Sequence, residues 1–116
     1  MEIRNARIKS VKLGREDHGI MTFMIFIDFG GDCVSISCGI GGYALDYYDK
    51  ALDKRVFSPK SMETISNILD VVGVDNWEDL PGKYIRIKDY GWGATIHDIG
   101  NILEDKWFNI AEFFED

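Results

Sequence analysis

The sequence predicts an α+β domain: an antiparallel sheet of about five strands with one main helix packed on one face and a short C-terminal helix. Three observations carry this expectation. Short stretches alternate apolar and polar residues between glycine-rich turns, which is the strand pattern. A single later stretch instead repeats its apolar residues every three or four positions, and the tail is amphipathic and aromatic. At 116 residues, 46% hydrophobic and 13% aromatic, the chain is read as one globular domain over residues 1–116. That composition offsets the entropy of ordering by burial, which a disordered chain cannot do.

The elements follow in order. Residues 3–13 read as a strand with Ile3, Asn5, Arg7, Lys9, Val11 and Leu13 on one parity and Ala6 and Ile8 on the other. The apolar positions change parity near Lys9, which predicts a bulge. Met21 to Phe29 is almost continuously apolar, with Phe23, Ile25, Ile27 and Phe29 opposite Met24 and Phe26, and is expected to be the central strand, covered on both sides. Phe29-Gly30-Gly31-Asp32 then reads as a tight turn, and Val34, Ile36 and Cys38 alternate with Cys33, Ser35 and Ser37 as a hairpin partner.

Residues 39–57 read as a long loop with one irregular helical turn between Leu45 and Lys50. Ser58-Pro59 announces a helix of about 14 residues, because serine satisfies free amides and proline suits the first turn. Met62, Ile65, Ile68, Leu69 and Val72 form its apolar stripe, and Gly73 stops it. Asp75 and Glu78 have capping-box spacing for a short turn of helix before Pro81-Gly82. Tyr84 to Lys88 alternates again, with Ile85 and Ile87 inward. Ala94 to Ile102 is expected to be a last strand, although Ile96, Ile99 and Leu103 also fit a helical spacing. Trp107, Ile110, Ala111 and Phe114 are expected on a short helix that closes over the core.

The net charge is −7, which argues against direct nucleic-acid binding, since phosphate contacts depend on Lys and Arg. The charge is also uneven. Between Arg15 and Lys50 there are 34 residues without a Lys or Arg, carrying Glu16, Asp17, Asp28, Asp32, Asp46 and Asp49. An acidic, aromatic surface follows, and a polarised surface implies a charged partner. No apolar run approaches the ~18 residues of a membrane span, and Met1-Glu2-Ile3-Arg4-Asn5 lacks the apolar core of a signal peptide, so a cytoplasmic protein without a membrane partner is expected. Cys33 and Cys38 on one strand lie roughly 16 Å apart on opposite faces, beyond disulfide reach. With His18 and His97 they make no recognisable zinc spacing, and no metal or cofactor is expected.

Several residue groups invite a chemical reading. Gly39-Ile40-Gly41-Gly42 resembles an anion cradle but lacks the Lys-Ser/Thr of a phosphate loop and the third spaced glycine of a dinucleotide fingerprint, and glycines at a strand end explain it more simply. Cys38, His97 and Asp98 are the types of a nucleophile, base and orienter, although a core thiol and a surface His-Asp pair are the commoner case. Asp28 and Asp32 at a glycine turn fall short of the oxygens a calcium ion needs. Tyr43, Tyr47, Tyr48 and Trp92 are candidates for a recognition surface, with Tyr43 equally suited to capping the core. The partner-binding candidates are therefore Gly41, Gly42, Tyr43, Asp46, Tyr47, Tyr48, Asp49 and Trp92.

Asp17-His18-Gly19-Ile20-Met21-Thr22, Gly39 to Asp46, Val72 to Leu80, and Ile99-Gly100-Asn101-Ile102 through Trp107-Phe108 together resemble a family of small proteins encoded by phages and prophages. The resemblance spans most of the chain. It transfers no catalytic residue; it implies a non-enzymatic inhibitor or adaptor acting on host machinery, CRISPR effectors included. The expected partner is a host or phage protein, in the sharpest version a basic nucleic-acid-handling complex whose groove receives carboxylates in place of phosphates. Two alternatives stand beside it: a small enzyme or nucleotide-binding protein using Cys38 or the Gly39–Gly42 segment, and a structural or assembly component of a virion.

Overall fold

The computed structural model describes residues 1–16, 18–28, 39–91 and 95–115. Their order is β1 (Glu2–Glu16), β2 (Ile20–Asp28), β3 (Gly39–Ala44), β4 (Asp46–Asp49), β5 (Lys54–Phe57), α1 (Ser61–Val72), a single 3-10 turn (Trp77–Asp79), β6 (Tyr84–Asp89), β7 (Asp98–Asn101), β8 (Trp107–Asn109) and α2 (Ile110–Glu115). The class is α+β, with one antiparallel sheet of six strands in the order β3-β2-β1-β6-β7-β8 and a separate two-stranded ribbon, β4-β5. Among the described residues the strands thus exceed the expected five.

The 15-residue strand β1 organises the sheet. Residues Arg7 to Glu16 pair with β2 and residues Glu2 to Arg7 with β6, and the register slips between Ile8 and Ser10. This is the bulge at Lys9 that the parity change predicts. Ala6 and Ile8 are buried before it, and Val11 packs on the core after it. The Met21–Phe29 run is not the central strand: β2 lies one place in from the edge, and β1 and β6 hold the middle. Its Phe23, Ile25 and Ile27 are fully buried, whereas Met24 and Phe26 on the opposite face are half-buried. Phe29 and the expected hairpin partner at residues 30–38 lie outside the described residues.

The sheet curves strongly enough for side chains to span it. Tyr43 on β3 reaches His97, just before β7, and stacks on Phe114 of α2, beyond β8. In a flat sheet β3 and β7 would stand four strand spacings, roughly 19 Å, apart, far beyond a tyrosine's reach. The result is a curved six-stranded sheet around one contiguous core, with the seam between β3 and the β7-β8 side bridged by side chains and by α2. In α1, Ser61, Thr64, Ile65, Ile68 and Val71 are buried while Met62 is exposed, so the buried stripe is turned about one residue from the expected one. Ser58 lies just upstream of the helix, where its hydroxyl accepts the Lys60 N–H, and Gly73 ends the helix at φ 92 with its N–H on the Leu69 carbonyl.

Three further expectations change. Residues 39–57 are not a loop; they hold β3, β4 and β5, which the glycines of β3 and the brevity of β4 and β5 disguise. The last expected strand, 94–102, contracts to β7 at Asp98–Asn101, which settles strand against helix there. Trp107 stands on β8 rather than on the terminal helix, which begins at Ile110 and is capped by the Asn109 side chain accepting the Glu112 N–H.

Candidate functional site

The glycine segment serves packing. Gly41 sits at φ 131, where a Cβ would lie 2.5 Å from the Phe23 carbonyl oxygen; β3 therefore crosses β2 at an approach only glycine permits. Gly42, at φ 82, follows beside the Met24 sulfur. The slip in the β2–β3 register between Thr22 and Met24 falls at this point. The two glycines answer a backbone requirement, and the carboxylate of Asp46 that follows them does not face outward.

Tyr43 caps the core, one of the two roles the sequence leaves open to it. Its ring stacks on Phe114 at 5.3 Å and 13° and on Phe23 at 6.3 Å and 26°. Its hydroxyl bonds His97 Nδ1. Burial pushes the phenol above its ordinary range, and the Asp98 carboxylate pushes it further the same way. Tyr43→Phe keeps both stacks and removes the bond across the seam. It is expected to lose about 1 kcal/mol in urea unfolding, and a variant as stable as the parent would show that the bond contributes nothing.

Asp46 is only 9% exposed, which removes it from the acidic surface expected of residues 39–49. Its Oδ1 accepts the Met21 N–H at 3.1 Å and an Arg55 guanidinium N–H at 2.8 Å. The bond from Arg55 holds the carboxyl below its usual range, against the opposing effect of burial. Asp46 thereby ties the β4-β5 ribbon to the N-terminal part of β2. Asp49 is also engaged in structure: its Oδ1 accepts the N–H groups of Ala51 and Leu52 at 2.9 and 3.2 Å and shapes the ribbon's turn.

Tyr47 and Tyr48 are each 50% exposed, as the sequence reading requires of recognition residues. The Tyr48 hydroxyl donates to Asp53. Two further apolar side chains share the ribbon with them, Leu52 at 58% and Phe57 at 65% exposure, and sequence reasoning missed both. The available signal was the paired run Asp46–Asp49 and Lys54–Phe57 around the turn Lys50–Asp53, which reads as a hairpin once 39–57 is not assumed to be loop. Trp92 lies outside the described residues, so the grouping of Trp92 with the tyrosines is not a finding of the structure.

The nucleophile constellation lies only partly within the described residues. Cys33, Cys38 and Asp32 are outside the described residues, and His97 is held by Tyr43. Asp98 is not a surface partner of His97; it is buried, accepts the Asn109 side-chain N–H at 3.0 Å and lies 3.9 Å from Lys88 Nζ. Among the described residues no three or more His, Cys, Asp or Glu side chains gather as metal ligands, and no helix is long and apolar enough to cross a membrane. No family model, curated protein or solved structure matches the chain.

Proposed function

We propose that this chain is a non-enzymatic protein-binding module that engages a partner through the β4-β5 ribbon. The observation that carries the reading is four large side chains, Tyr47, Tyr48, Leu52 and Phe57, each at least half exposed on a ribbon separate from the main sheet. The register sets Tyr48 and Phe57 on one face of the ribbon, Tyr47 on the other and Leu52 in its turn, so the partner encloses the ribbon rather than meeting one flat side, and tyrosine gives contact area at low entropic cost. The bond from half-buried Arg55 to buried Asp46 fixes the ribbon's base, so the rings are presented on a rigid support. With Asp46 buried and Asp49 committed to a turn, the proposed contact is aromatic and apolar rather than a carboxylate imitation of phosphate. An inhibitor or adaptor of a host protein, the role the phage-protein resemblance implies, is the partner class proposed.

A photo-crosslinking side chain at Leu52 tests this. It is expected to trap one discrete partner from host lysate, while the same group at exposed Lys83 traps none. Tyr47→Ser with Phe57→Ser should abolish the Leu52 adduct without lowering the melting temperature. Equal trapping from both positions, or an adduct that survives the double substitution, would refute the ribbon as the docking surface.

A further inference from the structure

The fold sorts charge in a way the net value of −7 conceals. Side chains on the sheet face turned away from the core can be followed strand to strand through the register. Trp107 of β8 pairs with Gly100 of β7, Gly100 with Arg86 of β6, and Arg86 with Asn5 of β1. In the next rows Tyr84 pairs with Arg7 and Arg7 with Asp28, Ser10 with Phe26, and Lys12 with Met24. Lys88 stands beside Arg86 on the same face, and Lys9 is exposed at the bulge. Five bases, Arg7, Lys9, Lys12, Arg86 and Lys88, thus share this face with three carboxylates, Glu16, Asp28 and Asp98. Glu16 is paired with Lys12, buried Asp98 lies 3.9 Å from Lys88 Nζ, and Asp28 stands opposite Arg7 in the register, so the face keeps an excess of two bases over carboxylates.

Rings are interleaved with those bases. The Trp107 ring lies over Gly100, where a Cβ would come within 2.8 Å of it, and the Arg86 guanidinium and Lys88 ammonium each lie 4.9 Å from the ring centroid. Arg86 is held in place by bonds to the Asn101 and Glu104 carbonyls at 2.7 and 2.8 Å. Tyr84, 58% exposed, sits beside Arg7. At the far end a hollow of about 220 Å³ is lined by Lys12, Glu16, Thr22, Phe23, Met24 and Phe26.

We propose that this sheet face binds a single-stranded oligonucleotide, with Arg7, Lys9, Arg86 and Lys88 meeting its phosphates and Tyr84 stacking on a base. Interleaved cations and rings on the outer face of a sheet are the chemistry of strand-tracking surfaces, because bases stack on rings while phosphates follow the charges. The chain's other acids lie away from this excess. Glu63 and Asp70 lie on α1 and Asp75, Glu78 and Asp79 follow it, and at physiological salt a surface charge is felt over only about 8 Å. The occupant is chemically distinct from that of the ribbon, and the two surfaces can be tested separately.

The test is fluorescence anisotropy with fluorescein-labelled U12 RNA and T12 DNA on the whole chain. Binding is expected to weaken about twenty- to fifty-fold between 50 and 200 mM salt, as about three or four neutralised phosphates require. Arg7→Glu with Lys9→Glu should cost at least tenfold and flatten the salt dependence. Tyr84→Ala should cost about tenfold without changing that slope, and Tyr47→Ser with Phe57→Ser should change neither. All these side chains are exposed, and thermal melting checks that each variant folds. Absence of binding to both oligonucleotides at 100 µM protein would overturn the proposal. So would affinity indifferent to Tyr84→Ala, or dextran sulfate competing through the same residues with equal strength, which would reduce the face to plain ion exchange. Preference for U12 over T12, or the reverse, supports it and assigns the sugar.

Discussion

Gly41→Ala is expected to cost about 3 kcal/mol or more of folding stability, read as a lower urea midpoint. Two effects add. A φ of 131 lies in a region that side-chain-bearing residues enter only at a cost of roughly 1–3 kcal/mol. The new methyl would also stand 2.5 Å from the Phe23 carbonyl oxygen and 3.1 Å from the Met24 Cα, both backbone atoms of β2 that have no rotamer to escape into. Relief therefore requires β3 to separate from β2, and with it Tyr43 to leave the seam. Gly42→Ala is the internal control. Its φ of 82 is also strained, but the nearest atom to the added methyl is the Met24 sulfur at 3.8 Å, an ordinary contact, so about 1 kcal/mol is expected. Equal costs at the two positions would contradict the close approach of β3 to β2.

Asp46→Ala is expected to cost about 2–3 kcal/mol, because it strands the Met21 N–H and deprives Arg55 of its carboxylate. Asp46→Asn keeps an acceptor and loses only the charge, so roughly half that cost is expected. The acid dependence separates the two contributions. The folded carboxyl titrates below its unfolded value of about 3.9, so its stabilisation is fully present above that pH and is lost as the pH falls through the lower folded value. The parent's advantage over Asp46→Asn should accordingly be constant near neutrality and shrink below about pH 4. Urea midpoints taken from pH 7 down to pH 2.5 would show it. An advantage that persists undiminished at the acid end would mean that the ion pair is not its source.

Local pattern made part of this molecule readable. The parity change around Lys9 marks the bulge, Ile85 and Ile87 mark β6, and Gly73 marks the end of α1, because each depends only on neighbours along the chain. The segment 39–57 resisted the same reading. Glycines at 39, 41 and 42 leave β3 with too few side chains to alternate, and β4 has four residues of which two are aspartates. Asp46 looked like a surface charge because its partners are distant in sequence, Arg55 nine residues away and the Met21 amide twenty-five. The basic sheet face was hidden for a related reason. It is assembled from β1, β6 and the bulge, and only the pairing of residues 2–7 with residues 84–89 brings its two halves together. Tyr47 and Tyr48 stand out in the sequence as candidates for a recognition surface and are half exposed, whereas nothing in a loop reading of 39–57 singles out Leu52 and Phe57.

The double allegiance of β1 also dictates an order of events as the chain folds. Residues 7–16 find β2 across a short turn, so that hairpin closes at little entropic cost and early. Residues 2–7 must wait for residues 84–89, after β3, the ribbon and α1 have been traversed. One strand therefore has a fast half and a slow half, with the bulge at Lys9 close to the boundary. Until the slow half is paired, Ala6 and Ile8 have no β6 beside them, and the partly folded chain offers an open strand edge to its neighbours.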